Sequence, residues 1–343
     1  MNKPKKDVCV LGGGFGGLNT ALKASNNPNL DITLVSKDKY HVYTPGLKYF
    51  FRDNEIEKYR FKLTSLLAQK DIEFKQGKVV DVLKENKVVK LDSNEISYDK
   101  LVVALGGEVN SYGLDISGIE KFYSWDDALS VREKTKRASE VILVGGGYVG
   151  VELASKLSDI GLEVTVIDSN QKPLSSISER AGDKALKHFK SNQIKFIGEK
   201  RVTDVQKNSL ELKDGTKMTS DLVIWAGGLK ASSTVQKIFD TDNKGIKVDR
   251  YLSTEHKDIY GVGDCTDFSY NTGFNALKQT KALANNLDPK NKKMKAGEIK
   301  ALFIQLGKNG LMIVGNIAIK NRLVGLYKKL EYKYYKNQLK KLT

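Results

Sequence analysis

Asp7-Val-Cys-Val-Leu-Gly-Gly-Gly-Phe-Gly-Gly17 is a short apolar run that ends in a glycine-rich turn, and Val141-Ile-Leu-Val-Gly-Gly-Gly-Tyr-Val-Gly150 repeats the plan 133 residues later. Leu18 to Ser25 and Val151 to Ile160 continue each turn as a helix, and Asp31–Ser36 and Glu163–Asp168 follow as second strands. Each turn spaces its glycines as G-x-G-x-x-G: Gly12, Gly14 and Gly17, then Gly145, Gly147 and Gly150. Phe15 and Gly16 complete the first turn, and Tyr148 and Val149 the second. The first glycine permits the tight turn, the second lets the backbone approach a pyrophosphate, and the third lets helix and strand pack closely. The helix N-terminus then offers free N–H groups and a positive dipole to the anion. A lone turn of this kind is weak evidence, but here the whole strand–turn–helix–strand context recurs. Two ordinary glycine-rich turns do not account for that.

The end of the second strand separates the two units. Asp168 lies 23 residues after Gly145, near the distance at which a carboxylate accepts from a ribose 2′-OH. It would repel a 2′-phosphate and has no adjacent Arg, so NADH is favoured over NADPH. The first unit has Ser36, followed by Lys37, at the equivalent place. Other strand-like runs fall between and after the units. Ile72–Gln76, Lys78–Leu83 and Lys87–Leu91 read as a small antiparallel excursion. Buried strands ending in glycines lead to Ala104-Leu-Gly-Gly107 and to Trp225-Ala-Gly-Gly228. Ile259 to Asp264 is another short strand, Asn275 to Leu287 a helix, and 288–297 a linker. From Arg322, the positions Leu323, Leu326, Tyr327, Leu330 and Tyr334 have helical spacing with lysines between them.

At about 150 residues per domain, 343 residues suggest two domains. Two cysteines exclude a disulfide scaffold and a four-cysteine metal site, and His41, His188 and His256 have no metal-ligand spacing, so no metal is expected. No stretch is apolar for the ~20 residues of a membrane span, and the N-terminus lacks the apolar core of a signal peptide. The net charge of +16 is unevenly spread. Residues 290–343 carry thirteen Lys and one Arg against two Glu, a balance of +12, which leaves +4 for the other 289 residues (43 basic, 39 acidic). Lys outnumbers Arg 49 to 8, which disfavours bidentate base readout and argues against nucleic acid.

The paired units, the glycine-ended strands and the late Gly263-Asp264 resemble the two-dinucleotide-binding-domain flavoproteins, in which FAD binds the first unit and NAD(P)H the second. Tyr98-Asp-Lys-Leu-Val-Val-Ala-Leu-Gly-Gly-Glu-Val-Asn-Ser-Tyr-Gly113, Trp125-Asp-Asp-Ala-Leu129 and Ile224-Trp-Ala-Gly-Gly228 are similar to the type II NADH dehydrogenase (NADH:quinone oxidoreductase) family. The resemblance implies an α/β fold with two Rossmann-like domains, the second inserted in the first. FAD would occupy 1–115 and 245–290, NADH 116–244, and a basic, helical, membrane-associating region 291–343. It implies that Ala104, Gly106, Gly263 and Asp264 contact FAD, with Asp264 on the ribityl chain and Thr44 and Pro45 beside the isoalloxazine ring. Ala226, Gly227 and Gly228 fall on the NADH side. Glu152 matches a residue near the nicotinamide, although it also reads as an ordinary first-turn acid. The family's quinone-side pattern is Ala-Gln with a second Gln four residues on. Here Phe274 stands where the first Gln is expected and Lys278-Gln279 where the second lies, either as quinone contacts or as a solvated helix face.

The implied activity is electron transfer from NADH through FAD to a membrane quinone, without proton pumping, on the cytoplasmic side of the cell membrane. Thr272-Gly273 and Tyr43-Thr-Pro45 also resemble sulfide:quinone oxidoreductases, which need a redox cysteine pair; Cys9 and Cys265 form no CxxC or CxxxxC. A non-catalytic FAD-binding interaction module is the reading from another class. The basic tail has three uses open to it: an interfacial helix on an anionic membrane surface, a helix packed on its own FAD domain, or a homodimer contact.

Overall fold

A computed structural model describes residues 4–268 and 272–343. Two parallel five-stranded sheets are built to one plan. In the first, Lys6–Leu11 is central, with Leu30–Ser36 and then Glu73–Gln76 on one side and Lys100–Val103 and then Ile259–Gly261 on the other. In the second, Glu140–Val144 is central, flanked by Glu163–Ile167 and Lys195–Ile197 and by Leu222–Trp225 and Glu120–Lys121. Parallel strands covered on both faces read as unbroken apolar runs, and Val8–Leu11 and Leu222–Trp225 are buried throughout. The chain is thus an α/β protein with two Rossmann-like folds. The helix Phe15–Ala24 follows the first turn and Tyr148–Asp159 the second.

The repeat extends beyond the turns. An antiparallel meander of Val79–Leu83, Val88–Leu91 and Glu95–Ser97 follows the first unit, and one of Val202–Gln206, Ser209–Leu212 and Lys217–Thr219 follows the second. The run Ile72–Gln76 does not belong to the meander, as the sequence had suggested: Glu73–Gln76 pairs in parallel with Leu30–Ser36. Its two ends are exposed and its two middle residues half-buried, neither the alternation of a one-sided strand nor the unbroken burial of a central one, so periodicity could not decide.

The chain passes from the first unit to the second through Gly107–Val109 and returns through Leu229–Ala231, and these two crossings pair antiparallel as one ribbon. The C-terminal region departs from expectation. Before the helix Arg322–Leu342 it forms an antiparallel sheet of Ala301–Leu306, Asn309–Val314 and Ile317–Asn321. Gly307-Lys308 and Gly315-Asn316, each between two apolar runs, are two-residue hairpin signals, with φ of +58° and +53° at the glycines.

A Cβ on Gly17 would lie 1.9 Å from the Gly12 carbonyl oxygen, whereas one on Gly14 would meet nothing within 4 Å. Gly17→Ala is therefore expected to lower unfolding free energy by more than about 3 kcal/mol, and Gly14→Ala, at the helix N-cap, by no more than about 1 kcal/mol. Urea unfolding of the two variants compares them, and equal stability would refute the close-packing role of Gly17.

Candidate active site

One cavity of about 1530 Å³ opens between the two units. Its first-unit wall carries Thr44, Pro45, Lys48 and Asp264. Its second-unit wall carries Gly145, Gly146, Gly147, Tyr148, Val149, Glu152, Asp168, Ala226, Gly227 and Gly228. Leu302 and Lys328 of the C-terminal region close it. Residues that the sequence reading gave to two separate nucleotides therefore share one space.

The second turn is held open by tight backbone packing. Gly145 has φ +115°, and a Cβ there would sit 2.4 Å from the Ala226 carbonyl oxygen. Asp168 ends the second strand and turns its carboxylate back on the turn. Oδ2 accepts from the Gly146 N–H, and Oδ1 accepts from both the backbone N–H and the side-chain amide of Asn170, each at 2.7 Å. Asp168 thus fixes the turn as well as lining the cavity. In the first unit Ser36 takes the same place. Its Oγ would be 3.0 Å from a Cβ on Gly13, as Asp168 Oδ2 would be 3.1 Å from one on Gly146. Ser36 is buried and accepts from the Asp38 N–H at 3.2 Å, while Lys37 is exposed. His41 Nδ1 donates to the Gly13 carbonyl at 2.9 Å, and Tyr335 of the C-terminal helix donates to His41 Nε2 at 2.7 Å. Burial pushes His41 down to about 4, so it is neutral and structural.

Of the first-unit residues expected to hold FAD, Thr44, Pro45 and Asp264 line the cavity, whereas Gly12, Gly14, Phe15, Gly16, Gly17, Ser36, Lys37, Ala104, Gly106 and Gly263 do not. Gly12 has φ +111° and lies against Ala104, Gly106 has φ +68°, and Gly16 packs on Val262. Gly14 is exposed with open space before it, as a pyrophosphate on a helix N-terminus requires. Asp264, which follows Gly263 (φ +78°), is partly buried, accepts no hydrogen bond among the described residues, and is pushed up to about 6 by burial. A half-buried carboxylate without a donor suits a ligand hydroxyl.

Glu152 is not an open acid. It is 6% exposed, takes Lys48 Nζ at 2.7 and 2.8 Å on its two oxygens, and accepts from the Gln305 N–H at 2.6 Å. Burial alone would push Glu152 up, but Lys48, Lys328 and these hydrogen bonds hold it below the usual range. Burial pushes Lys48 down to about 8 against the pull of Glu152. Lys328, also buried, donates to Tyr148 Oη at 3.0 Å and pairs with Glu331 at 2.9 Å, while Tyr148 donates to the Phe303 carbonyl at 2.8 Å. Burial would lower Lys328, but Tyr148, Glu152 and Glu331 hold it well above its ordinary value. Sequence reasoning missed Lys48 and Lys328. A lysine in a Lys-rich chain carries no mark of burial, and although Glu331 is three residues from Lys328, the partners Glu152 of Lys48 and Tyr148 of Lys328 lie 104 and 180 residues away.

Two expected quinone contacts sit elsewhere. Gln279 is buried in the helix Gly273–Asn286 and its Oε1 accepts from the Gly263 N–H at 3.0 Å, bracing the loop that carries Asp264. Lys278 lies along Gly297 of the linker. Neither is on the cavity wall, whereas Phe274 is. Cys9 and Cys265 are free and buried, with thiols pushed up to about 12 and about 11 by burial.

The chain belongs to the pyridine nucleotide-disulphide oxidoreductase family, whose profile matches residues 6–281. It is 30% identical to the NADH-rubredoxin oxidoreductase of Clostridium acetobutylicum over 274 residues, which cover 76% of this chain and 68% of that protein. It is 25% identical to the type II NADH:quinone oxidoreductase of Haemophilus influenzae, covering 78% and 75%. In fold it is similar to NDH2 of Plasmodium falciparum, solved in complex with NADH, at a TM-score of 0.84 and 19% identity over 96% of this chain and 94% of that one. The sulfide:quinone oxidoreductase of Aquifex aeolicus gives 0.84 and 19% over 98% and 92%.

Removing one partner of the buried pair strands the other charge. Lys48→Met is expected to lower unfolding free energy by about 3 kcal/mol, and Lys48→Met with Glu152→Gln to recover most of that. Equal losses in the single and double variants, measured by urea unfolding, would separate the two residues.

Proposed function

We propose that this oxidoreductase uses FAD to pass electrons from NADH to a membrane quinone, as a peripheral protein of the cytoplasmic face. The observation that carries the reading is the two-faced C-terminal helix. One face, with Val324, Lys328, Glu331, Tyr335 and Leu339, is buried, and Lys328 reaches the cavity. The opposite face exposes Leu323 (75%), Leu326, Tyr327, Leu330 and Tyr334 (61%), and the adjoining hairpin exposes Ile317 and Ile319. An exposed apolar stripe of this length on a soluble domain marks a contact surface, and Lys329, Lys333, Lys336 and Lys340 border it on one side at helical spacing. No helix of the described residues is long and apolar enough to cross a membrane; an exposed apolar stripe bordered by lysines is the pattern that supports a helix lying in the interface. A quinone dissolves in the bilayer, so its reductase must open towards one.

Within this reading, Gly145, Gly147 and Gly150 hold the NADH pyrophosphate and Asp168 its ribose. Gly12, Gly14 and Gly17 hold that of FAD, with Asp264 on a ribityl hydroxyl. FAD, when bound, would accept two electrons from NADH and release them to the quinone. The chain aligns the rings and manages protons. A quinone takes up two protons with its two electrons; in this reading Lys48 Nζ, on the wall, held by Glu152 and pushed down to about 8 by burial, would give one. The sulfide alternative is disfavoured because it needs a redox cysteine pair, and both thiols are buried and pushed up.

Anaerobic mixing of the FAD-loaded protein with NADH is expected to bleach the flavin absorbance, and a soluble quinone to restore it; an unbleached flavin would sink the proposal and favour a non-catalytic module. Replacing Leu326, Leu330 and Tyr334 together by Gln, which leaves the buried face untouched, should weaken sedimentation with anionic vesicles at least tenfold. Unchanged sedimentation would remove this face from membrane attachment.

A further inference from the structure

Tyr112 stands apart from the other aromatic side chains on the cavity. Its backbone is left-handed, with φ +52°, and its ring is 61% exposed although it lines the cavity. A bulky residue at positive φ is unfavourable, and here no burial compensates for it. The conformation is imposed by neighbours. The Tyr112 N–H donates to Asn110 Oδ1 at 3.0 Å, Asn110 N–H donates to the Gly228 carbonyl at 2.9 Å, and Trp225 Nε1 donates to the Asn110 carbonyl at 2.8 Å. The result carries the Tyr112 hydroxyl to 3.9 Å from where a Cβ on Gly228 would lie.

The sheet order says what belongs beside Gly228. The central strand Glu140–Val144 ends in the second turn, with Asp168 beyond one neighbour and Gly227-Gly228 beyond the other. A dinucleotide with its pyrophosphate on the turn and its adenosine ribose at Asp168 lays its other nucleoside towards Gly228. That nucleoside is the nicotinamide one, and Tyr112 is the exposed ring beside it. Resting on the assignment of this cavity to NADH, we infer that Tyr112 is a positioning residue that closes over the nicotinamide half of the bound nucleotide. Strain held at a ligand site and an aromatic face left open are both accounted for if a planar ring covers it.

ADP-ribose, which lacks the nicotinamide, isolates this contact. Calorimetric titration of the full-length protein with NAD⁺ and with ADP-ribose is to be compared for wild type, Tyr112→Ala and Tyr112→Phe. Tyr112→Ala should weaken NAD⁺ about tenfold and leave ADP-ribose within about twofold, and Tyr112→Phe should restore NAD⁺. Because the ring is exposed, thermal unfolding should be the same in all three. Equal losses for both ligands, or no loss for NAD⁺, would overturn the role of Tyr112 while leaving the nucleotide site intact. A wild-type protein that binds neither ligand would overturn the NADH assignment itself, and the role of Tyr112 with it.

Discussion

Four charges buried together, Lys48, Glu152, Lys328 and Glu331, tie the parts of this molecule to one another. Each group is costly to remove from water, and the four come from three places: the short 3-10 helix Thr44–Tyr49 of the first unit, the helix Tyr148–Asp159 of the second, and, for the last two, the C-terminal helix. The charges balance, and Tyr148 and the Gln305 N–H each add a hydrogen bond, to Lys328 and to Glu152. Lys48 and Glu152 pair between the two units, Lys328 and Glu331 pair within the C-terminal helix, and the Tyr148 and Gln305 hydrogen bonds join the C-terminal region to the second unit. The C-terminal helix is therefore part of the cavity wall, and Tyr335 extends the same tie to the first turn through His41.

Much of the fold was legible because the features that define it are local. A strand, a glycine turn and a helix occupy about thirty consecutive residues, and the turn needs glycines whose absence of Cβ is visible in the sequence. The place of Asp168 at the end of the second strand was legible for the same reason. What escaped was non-local. Glu73–Gln76 joins the parallel sheet because of where the chain has already been, and nothing in its own residues says so. The pairing of Lys48 with Glu152, and the use of Gln279 to brace Gly263, depend on segments 104 and 16 residues apart respectively. The C-terminal strands are a different case. Their two glycine-containing turns were readable, but the lysine-rich composition and the strong helical spacing after Arg322 drew the whole region into one helical reading.

The tail also shows that the uses weighed for it do not exclude one another. A helix 21 residues long has room for more than one face. Packing against the body takes the stripe from Val324 to Leu339, while the stripe from Leu323 to Tyr334 stays in solvent. Lys329, Lys333, Lys336 and Lys340 form a third stripe of the same helix, beside the exposed apolar one.

The paired crossings have a mechanical consequence. Had Gly107–Val109 and Leu229–Ala231 been separate linkers, the two halves could slide and twist independently. Zipped by backbone hydrogen bonds, they act as a single strap that resists shear along its length and yields by bending across it. Motion between the halves is thereby reduced towards one coordinate, a clamshell-like opening of the cleft. The buried charges lie across that cleft and oppose the opening, so whatever enters or leaves works against a latch on one side and a hinge on the other.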